Sequence, residues 1–271
     1  MSRRRYSWDE KRISKYVRAG RGMGSGSEYT PWLTTADVPS RGLSHRPFWW
    51  KTARVHHFLS DNEYYAFLHH AYDDNVTDVR EQFPLDRTET IVIAEQLGVR
   101  HPVDRDSRVP LVMTTDLLIT QGMRSGVRQL AFAVKEDKEL NKARTVEKLE
   151  IERLYWALRG VAWDIQLSSE VKNNTALNLA WIFDSDASTE FGSARTERIK
   201  SQLKKTVGRY PTAPIRIACR IVDDRLSLKH GATLGVVRAL LARKELLFDL
   251  NLRPPLAEAH CSKFSFSKRR T

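Results

Sequence analysis

The sequence predicts two domains: an α/β domain built on a mixed sheet, then a mostly helical domain that closes with a short strand. Three observations carry that reading. Between residues 76 and 165, apolar stretches of strand length enclose one long helical pattern at 142–159. The chain then turns polar at 168–178, where SSEVKNNT reads as a boundary. Beyond it, apolar residues recur at helical spacing.

Taken in order, Ile13, Tyr16 and Val17 fall at i, i+3 and i+4 and predict a helix over 9–19. The glycine-rich run 20–26 looks only superficially like a dinucleotide-binding loop. No strand precedes it and no helical pattern follows, so it reads as a flexible connection. A turn-rich stretch, 34–60, contains Pro39, Gly42, Pro47 and the pair Trp49-Trp50. Ser60 followed three residues later by Glu63 is a capping-box signature, and Tyr64, Phe67, Leu68 and Ala71 continue it as a helix over 61–72.

Residues 76–85 read as a strand, followed by a polar connection, a second strand at 110–120 and a third at 128–135, with 122–126 as a hairpin connection. The helix 142–159 presents Val146, Leu149, Ile151, Leu154, Tyr155 and Leu158 as its buried stripe; Gly160 stops it and 161–165 resumes as a strand. In the second half, helices are predicted at 177–183, 194–207, 215–226 and 233–243, with a short strand within 246–250. Helices followed by a small strand suit a winged-helix or helix-turn-helix module. The tail 263–270 is too polar and too short for a core and reads as an interaction arm or a disordered end. The expected domains are 1–168, 169–250 and a basic tail, 251–271.

Charge is distributed unevenly. The 271 residues carry a net charge of +12, but 1–56 carry +8, 200–271 carry +11 and the middle carries −7. Basic ends suit a phosphate backbone. An acidic centre suits one only where its carboxylates serve another purpose, such as holding a divalent metal. Two cysteines, Cys219 and Cys261, exclude a disulfide scaffold and a thiolate-rich zinc site. No apolar stretch has the length of a membrane span, and no apolar segment follows Arg3, Arg4 and Arg5 as a secretory signal requires. A cytoplasmic protein with a polyanionic partner is expected.

Three residues combine chemistry with placement. Glu63 opens a helix, Asp116 interrupts the apolar strand MTTDLLI, and Lys135 ends the next strand. A carboxylate or ammonium on such a strand needs a partner or an exposed rim. Two adjacent strands bring Asp116 and Lys135 to one scissile phosphate, with Glu63 approaching from the helix; oxygen ligands suit Mg²⁺, and the ammonium suits an attacking water or developing phosphate charge. A structural ion pair is the competing account. His56-His57 and His69-His70 do not share a face, so core, surface or DNA-contact roles are favoured over zinc. Candidates for DNA contact are the basic N-terminal segment with Arg3, Arg4 and Arg5, then Lys51 and Arg54, then Lys200, Lys204, Lys205 and Arg209, and Arg238, Arg243 and Lys244 by the last helix.

The stretch 55–85, VHHFLSDNEYYAFLHHAYDDNVTDVREQFPL, resembles the TnsA family, the endonuclease subunits of heteromeric bacterial cut-and-paste transposons. PWLT at 31–34, VPSRG at 38–42, TTD at 114–116 and TVEKLEIERLYW at 145–156 extend the resemblance over most of the first 165 residues. It implies a restriction-endonuclease-like domain followed by a winged helix, with Glu63, Asp116 and Lys135 at the catalytic positions. It further implies Mg²⁺, for which Mn²⁺ substitutes, and cleavage of the non-transferred strand at the 5′ transposon ends. The implied partners are transposon-end DNA, an integrase-like transposase subunit and an AAA+ ATPase regulator.

One position departs from the pattern. Nucleases of this kind carry Glu, Asp or Gln two residues before the lysine, and here Ala133 stands there. The Val134 main-chain carbonyl, Glu152 or, less favourably, Glu147 are the candidates to complete a metal shell, with water or weak metal affinity as alternatives. Ala133 also keeps open a non-catalytic DNA-binding scaffold that bridges the transposase and the ATPase. A transcriptional regulator using only the winged helix leaves Glu63, Asp116 and Lys135 without a role.

Overall fold

A computed structural model describes residues 7–38, 43–124, 126–184 and 193–267. Arg3, Arg4 and Arg5, most of the VPSRG motif, one residue of the hairpin turn and the basic residues 268–270 lie outside the described residues. The chain divides into two units, residues 1–172 and 173–271.

The first unit is organised by four strands: β3 (Val76–Pro84), β4 (Thr114–Met123), β5 (Gly126–Lys135) and β6 (Ala162–Leu167), side by side in that order. β3, β4 and β5 are antiparallel neighbours and β6 runs parallel to β5, so the sheet is mixed. The parallel pair needs a crossover, and α4 (Ala143–Ala157) supplies it. Side chains alternate across the sheet. Leu118 and Ala131, partners in register, join Ile151, Tyr155 and Trp156 of α4 and Ile93 and Ala94 in one core cluster. Phe132, the partner of Leu117, meets His70 of α2 (Asp61–Ala71) instead.

Ile93 and Ala94 belong to α3 (Arg87–Gln96), a helix that occupies the expected polar connection. Its signal was present: Asp86 accepts the Glu89 N–H as an N-cap, and Thr90, Ile93 and Ala94 are buried at helical spacing. Two members of the expected α4 stripe are instead exposed, Val146 within the helix and Leu158 just past its end, while the helix buries Thr145 and Glu152.

Three further short elements precede the sheet: α1 (Glu10–Arg18), β1 (Phe48–Trp49) and β2 (Arg54–Val55). The glycine run after α1 is fixed rather than a loose connection. Gly22 has φ +82, donates its N–H to Thr30 and lies so close to Pro84 that a Cβ would meet the ring at 2.1 Å. Ile13, Tyr16 and Trp32 form a small core with Trp8 beside them.

The second unit consists of α6 (Asn174–Phe183), α7 (Ala194–Arg209), α8 (Ile215–Arg225) and α9 (Ala232–Ala242), preceded in the chain by the single turn α5 (Ser168–Val171). Buried Asp223 of α8 accepts the N–H groups of Gly231 and Thr233, so a carboxylate caps the start of α9. The chain end differs from expectation. Strand β7 (Leu246–Leu247) pairs antiparallel with β8 (Ser265–Phe266), and Leu256, Cys261 and Phe264 are buried. Apolar residues spaced through 256–264 thus make the proximal tail part of this unit's core. Among the described residues, no helix is long and apolar enough to cross a membrane.

Candidate active site

The site forms where β4 and β5 part. Their ladder ends at Leu117↔Phe132, and beyond it the N–H of Val134, two residues past Phe132, donates to Oδ2 of Asp116, one residue before Leu117, at 2.7 Å. The same oxygen receives the Lys135 ammonium at 2.6 Å, which also donates to the Val134 carbonyl at 3.0 Å. Asp116 is therefore held by the end of the neighbouring strand.

Glu63 arrives from the first turn of α2. Ser60 caps the helix: its hydroxyl accepts the Glu63 N–H and donates to the Glu63 carboxylate, which also accepts the Leu59 N–H at Oε2 in place of the Ser60 N–H of a full capping box. Burial, then the nearby Asp116 charge, pushes the Glu63 carboxyl up to about 7. Burial works against the Lys135 charge, but Asp116, Glu152 and Glu63 together hold its ammonium above the ordinary value.

Glu152 of α4 lies in the same place. A cavity of about 250 Å³ is lined by Thr114, Asp116, Lys135, Lys148 and Glu152, among others. Glu152 Oε1 accepts from the Thr115 hydroxyl at 2.9 Å and the Trp163 indole at 3.0 Å, and burial, followed by Asp116, raises its carboxyl to about 7. Glu147 pairs with Arg144. Among the described residues, no three His, Cys, Asp or Glu side chains converge as a metal cluster.

Two contributors escaped sequence reasoning. Gln82 of β3, buried, donates from Nε2 to Glu63 Oε2 at 3.3 Å and to Asp116 Oδ1 at 3.4 Å, while its Oε1 accepts from the Thr114 hydroxyl. Its φ of 48°, which no strand pattern announces, puts it there. Lys148 lies one helical turn before Glu152, a spacing that was readable. Burial, Lys135 and Arg144 lower its ammonium.

The comparisons with known proteins agree with one another. The family described as TnsA-like endonuclease N terminal matches residues 73–167, and TnsA endonuclease C terminal matches 170–250. The chain is 38% identical over 251 residues to the transposon Tn7 transposition protein TnsA of Escherichia coli, covering 92% of this chain and 90% of that protein. The chain belongs to the TnsA endonuclease family. The TnsA-like N-terminal match spans Gln82, Asp116, Val134, Lys135 and Glu152, whereas Glu63 precedes it.

The basic residues singled out in this TnsA-family chain fall into different settings. Arg54 is buried: its guanidinium donates twice to Glu81 and once to the Val79 carbonyl, so a DNA contact is corrected to a core ion pair. The Lys51 ammonium donates to the carbonyls of Asp73 and Val76. Arg238 packs over Trp181 and donates to the Asp184 carbonyl, and Lys200 pairs with Glu245. Lys204, Lys205, Arg209 and Arg243 are exposed, and Lys244 is half-buried with φ 56°. The histidines have separate partners: His56 Nδ1 donates to Glu81, His69 meets the Val171 carbonyl and His70 meets Gln166.

Proposed function

We propose that the chain is a metal-dependent DNA endonuclease subunit of a transposase complex, cutting the non-transferred strand at the 5′ ends of the transposon. The first unit is then restriction-endonuclease-like and the second a winged helix, with β7 and β8 as its wing. Its partners are transposon-end DNA, an integrase-like transposase subunit and an AAA+ ATPase regulator, in a cytoplasmic, DNA-associated setting.

One observation carries the reading: Asp116 is fixed at the parting of two strands between the Lys135 ammonium and a buried second carboxylate, Glu63, joined to it through Gln82. The donor set fits a hard divalent cation. Gln82 links the Glu63 and Asp116 carboxylates, Lys135 links Asp116 to the Val134 carbonyl, and the partners these oxygens hold are hydrogen-bond donors, as befits oxygens that accept a cation. Glu63, Asp116 and the Val134 carbonyl would hold Mg²⁺ or Mn²⁺, which would supply polarisation of the scissile phosphate and stabilisation of the leaving 3′ oxygen. Asp116 and Glu63 orient that charge, Glu152 stands by at the cavity wall, and Lys135 positions the attacking water and neutralises charge that develops on phosphorus oxygens. Exposed Lys204 and Lys205 supply phosphate contacts that orient the duplex without reading bases.

A scaffold without catalysis is the second reading, favoured by Ala133. Its methyl group is fully buried one step beyond Phe132 on β5 and offers no ligand. Strand-resolved cleavage of end-containing DNA, with transposase and Mg²⁺ present, separates the two. Asp116→Ala is expected to abolish cutting at the 5′ side while the complex still assembles. Equal 5′ scission by Asp116→Ala and the parent overturns the catalytic assignment.

A further inference from the structure

Ala133 leaves a question that the geometry answers: which oxygen replaces the missing one. Gln82 is the side chain that reaches both carboxylates, at 3.3 Å from Glu63 and 3.4 Å from Asp116, from a strand on the far side of β4 from Ala133. We propose that Gln82 is a metal ligand of this site, its amide oxygen supplying the neutral donor that Ala133 cannot. The inference rests on the reading of Glu63 and Asp116 as metal-binding carboxylates.

Two features make the residue suited to this. The first is its amide chemistry. Gln82 at present turns its NH₂ toward the two carboxylates and its oxygen toward Thr114, whose hydroxyl donates to it at 3.1 Å. A hydroxyl accepts as readily as it donates. Reversing the amide therefore keeps the Thr114 bond, now with NH₂ donating to Oγ1, and brings Oε1 to the carboxylate side. In the absence of a cation the NH₂ group bridges two negative oxygens; in its presence the oxygen adds to them. One side chain serves both states with its polar atoms bonded.

The second is its backbone. A φ of 48° in a non-glycine residue within a strand is strained and persists only where neighbours hold it. Here they do. The Trp32 N–H donates to the Gln82 carbonyl at 3.2 Å, and the Tyr29 hydroxyl donates to the Glu81 carbonyl at 3.0 Å. The Glu81 side chain is gripped by Arg54, His56 and the His57 N–H. Tyr29, Trp32, Arg54, His56 and the His57 N–H thus clamp the two residues that set the direction of the Gln82 side chain. An ordinary strand conformation needs no such clamp; a side chain turned between two carboxylates does.

The test is Mn²⁺ binding to the full chain, read as loss of the free-ion electron paramagnetic resonance signal, with no DNA and no turnover. Gln82→Leu, which keeps the volume and removes the oxygen, is expected to weaken Mn²⁺ binding by about tenfold or more. Gln82→Glu is expected to bind Mn²⁺ more tightly than the parent and to show a larger rise in Tm on adding the ion. Asp116→Ala is expected to lose binding. Parent-like Mn²⁺ affinity in both Gln82 variants, with binding lost in Asp116→Ala, overturns the role of Gln82 and leaves the site intact. A parent that binds no Mn²⁺, or Asp116→Ala that binds like the parent, overturns the site itself and this inference with it. Should Gln82→Leu fail to fold by circular dichroism, Gln82→Glu decides alone, and no gain in affinity there counts against the proposal.

Discussion

Glu81 and Glu63 are both buried carboxylates beside the same residue, Gln82, and they have opposite electrostatics. Glu81 receives two bonds from Arg54, one from His56 and one from the His57 N–H. Burial alone would raise its carboxyl, but His56 and the Arg54 guanidinium hold it far below the ordinary 4.5. Burial also lowers His56, with Glu81 opposing that shift. Glu63 receives bonds from neutral groups, Leu59, Ser60 and Gln82, and faces a second carboxylate, so its carboxyl rises to about 7. One carboxylate is satisfied by the fold; the other is left with negative charge that, under the proposed function, a cation would relieve. Under the proposed function, that contrast separates a structural acid from a metal-binding one.

The contrast predicts opposite signs for the same substitution. Glu81→Gln strands the Arg54 guanidinium in the core and is expected to cost about 3–5 kcal/mol of stability in denaturant unfolding. A smaller effect of reversed sign is expected for Glu63→Gln: in metal-free protein above pH 7 it removes a buried charge that Lys135 offsets only in part and stabilises by about 1–3 kcal/mol, while strand cleavage is lost. Destabilisation by both would break the comparison.

Smaller still is the shape of the pH profile without metal. Glu81 has a depressed folded value, so its stabilisation is present above its unfolded value of 4.5 and lost as pH falls below it. Glu63 and Glu152 have raised folded values of about 7, so the folded chain holds protons the unfolded one has released, and stability falls as pH rises from 4.5 through 7. Thermal melts across pH 3–8 (about one unit apart) are expected to show both limbs, with Glu81→Gln flattening the acid limb and Glu63→Gln the neutral one. Unchanged limbs in both variants would assign the profile to other groups.

Much of this arrangement was legible in the sequence because its causes are local. The Ser60–Glu63 capping signature placed Glu63 in the first turn of α2, and the apolar flanks of Asp116 and Lys135 placed them on neighbouring strands. What was not legible depends on contacts distant in sequence. Arg54 is basic and follows a turn, as a DNA contact does; only the fold, which sets Glu81 against it 27 residues on, makes it a core residue. Gln82 gave no signal because a left-handed φ inside a strand is imposed by Trp32 and the Glu81 clamp. The helix α3 is a different kind of omission. Asp86, Glu89 and the Thr90, Ile93, Ala94 spacing are local, and the charged residues between them obscured a readable pattern. The proximal tail failed on composition: Cys261 and Phe264 anchor a segment whose other residues are polar.

Under the proposed function, the Glu63–Asp116 pair holds a catalytic cation. Anomalous scattering from crystals of the full chain grown with Mn²⁺ tests it most directly. The account predicts a peak within coordination distance, about 2.1–2.3 Å, of a carboxylate oxygen of each, with the Lys135 ammonium displaced from Asp116. Asp116 still paired with Lys135, Gln82 still bridging the two carboxylates, and no peak at saturating Mn²⁺ would contradict it.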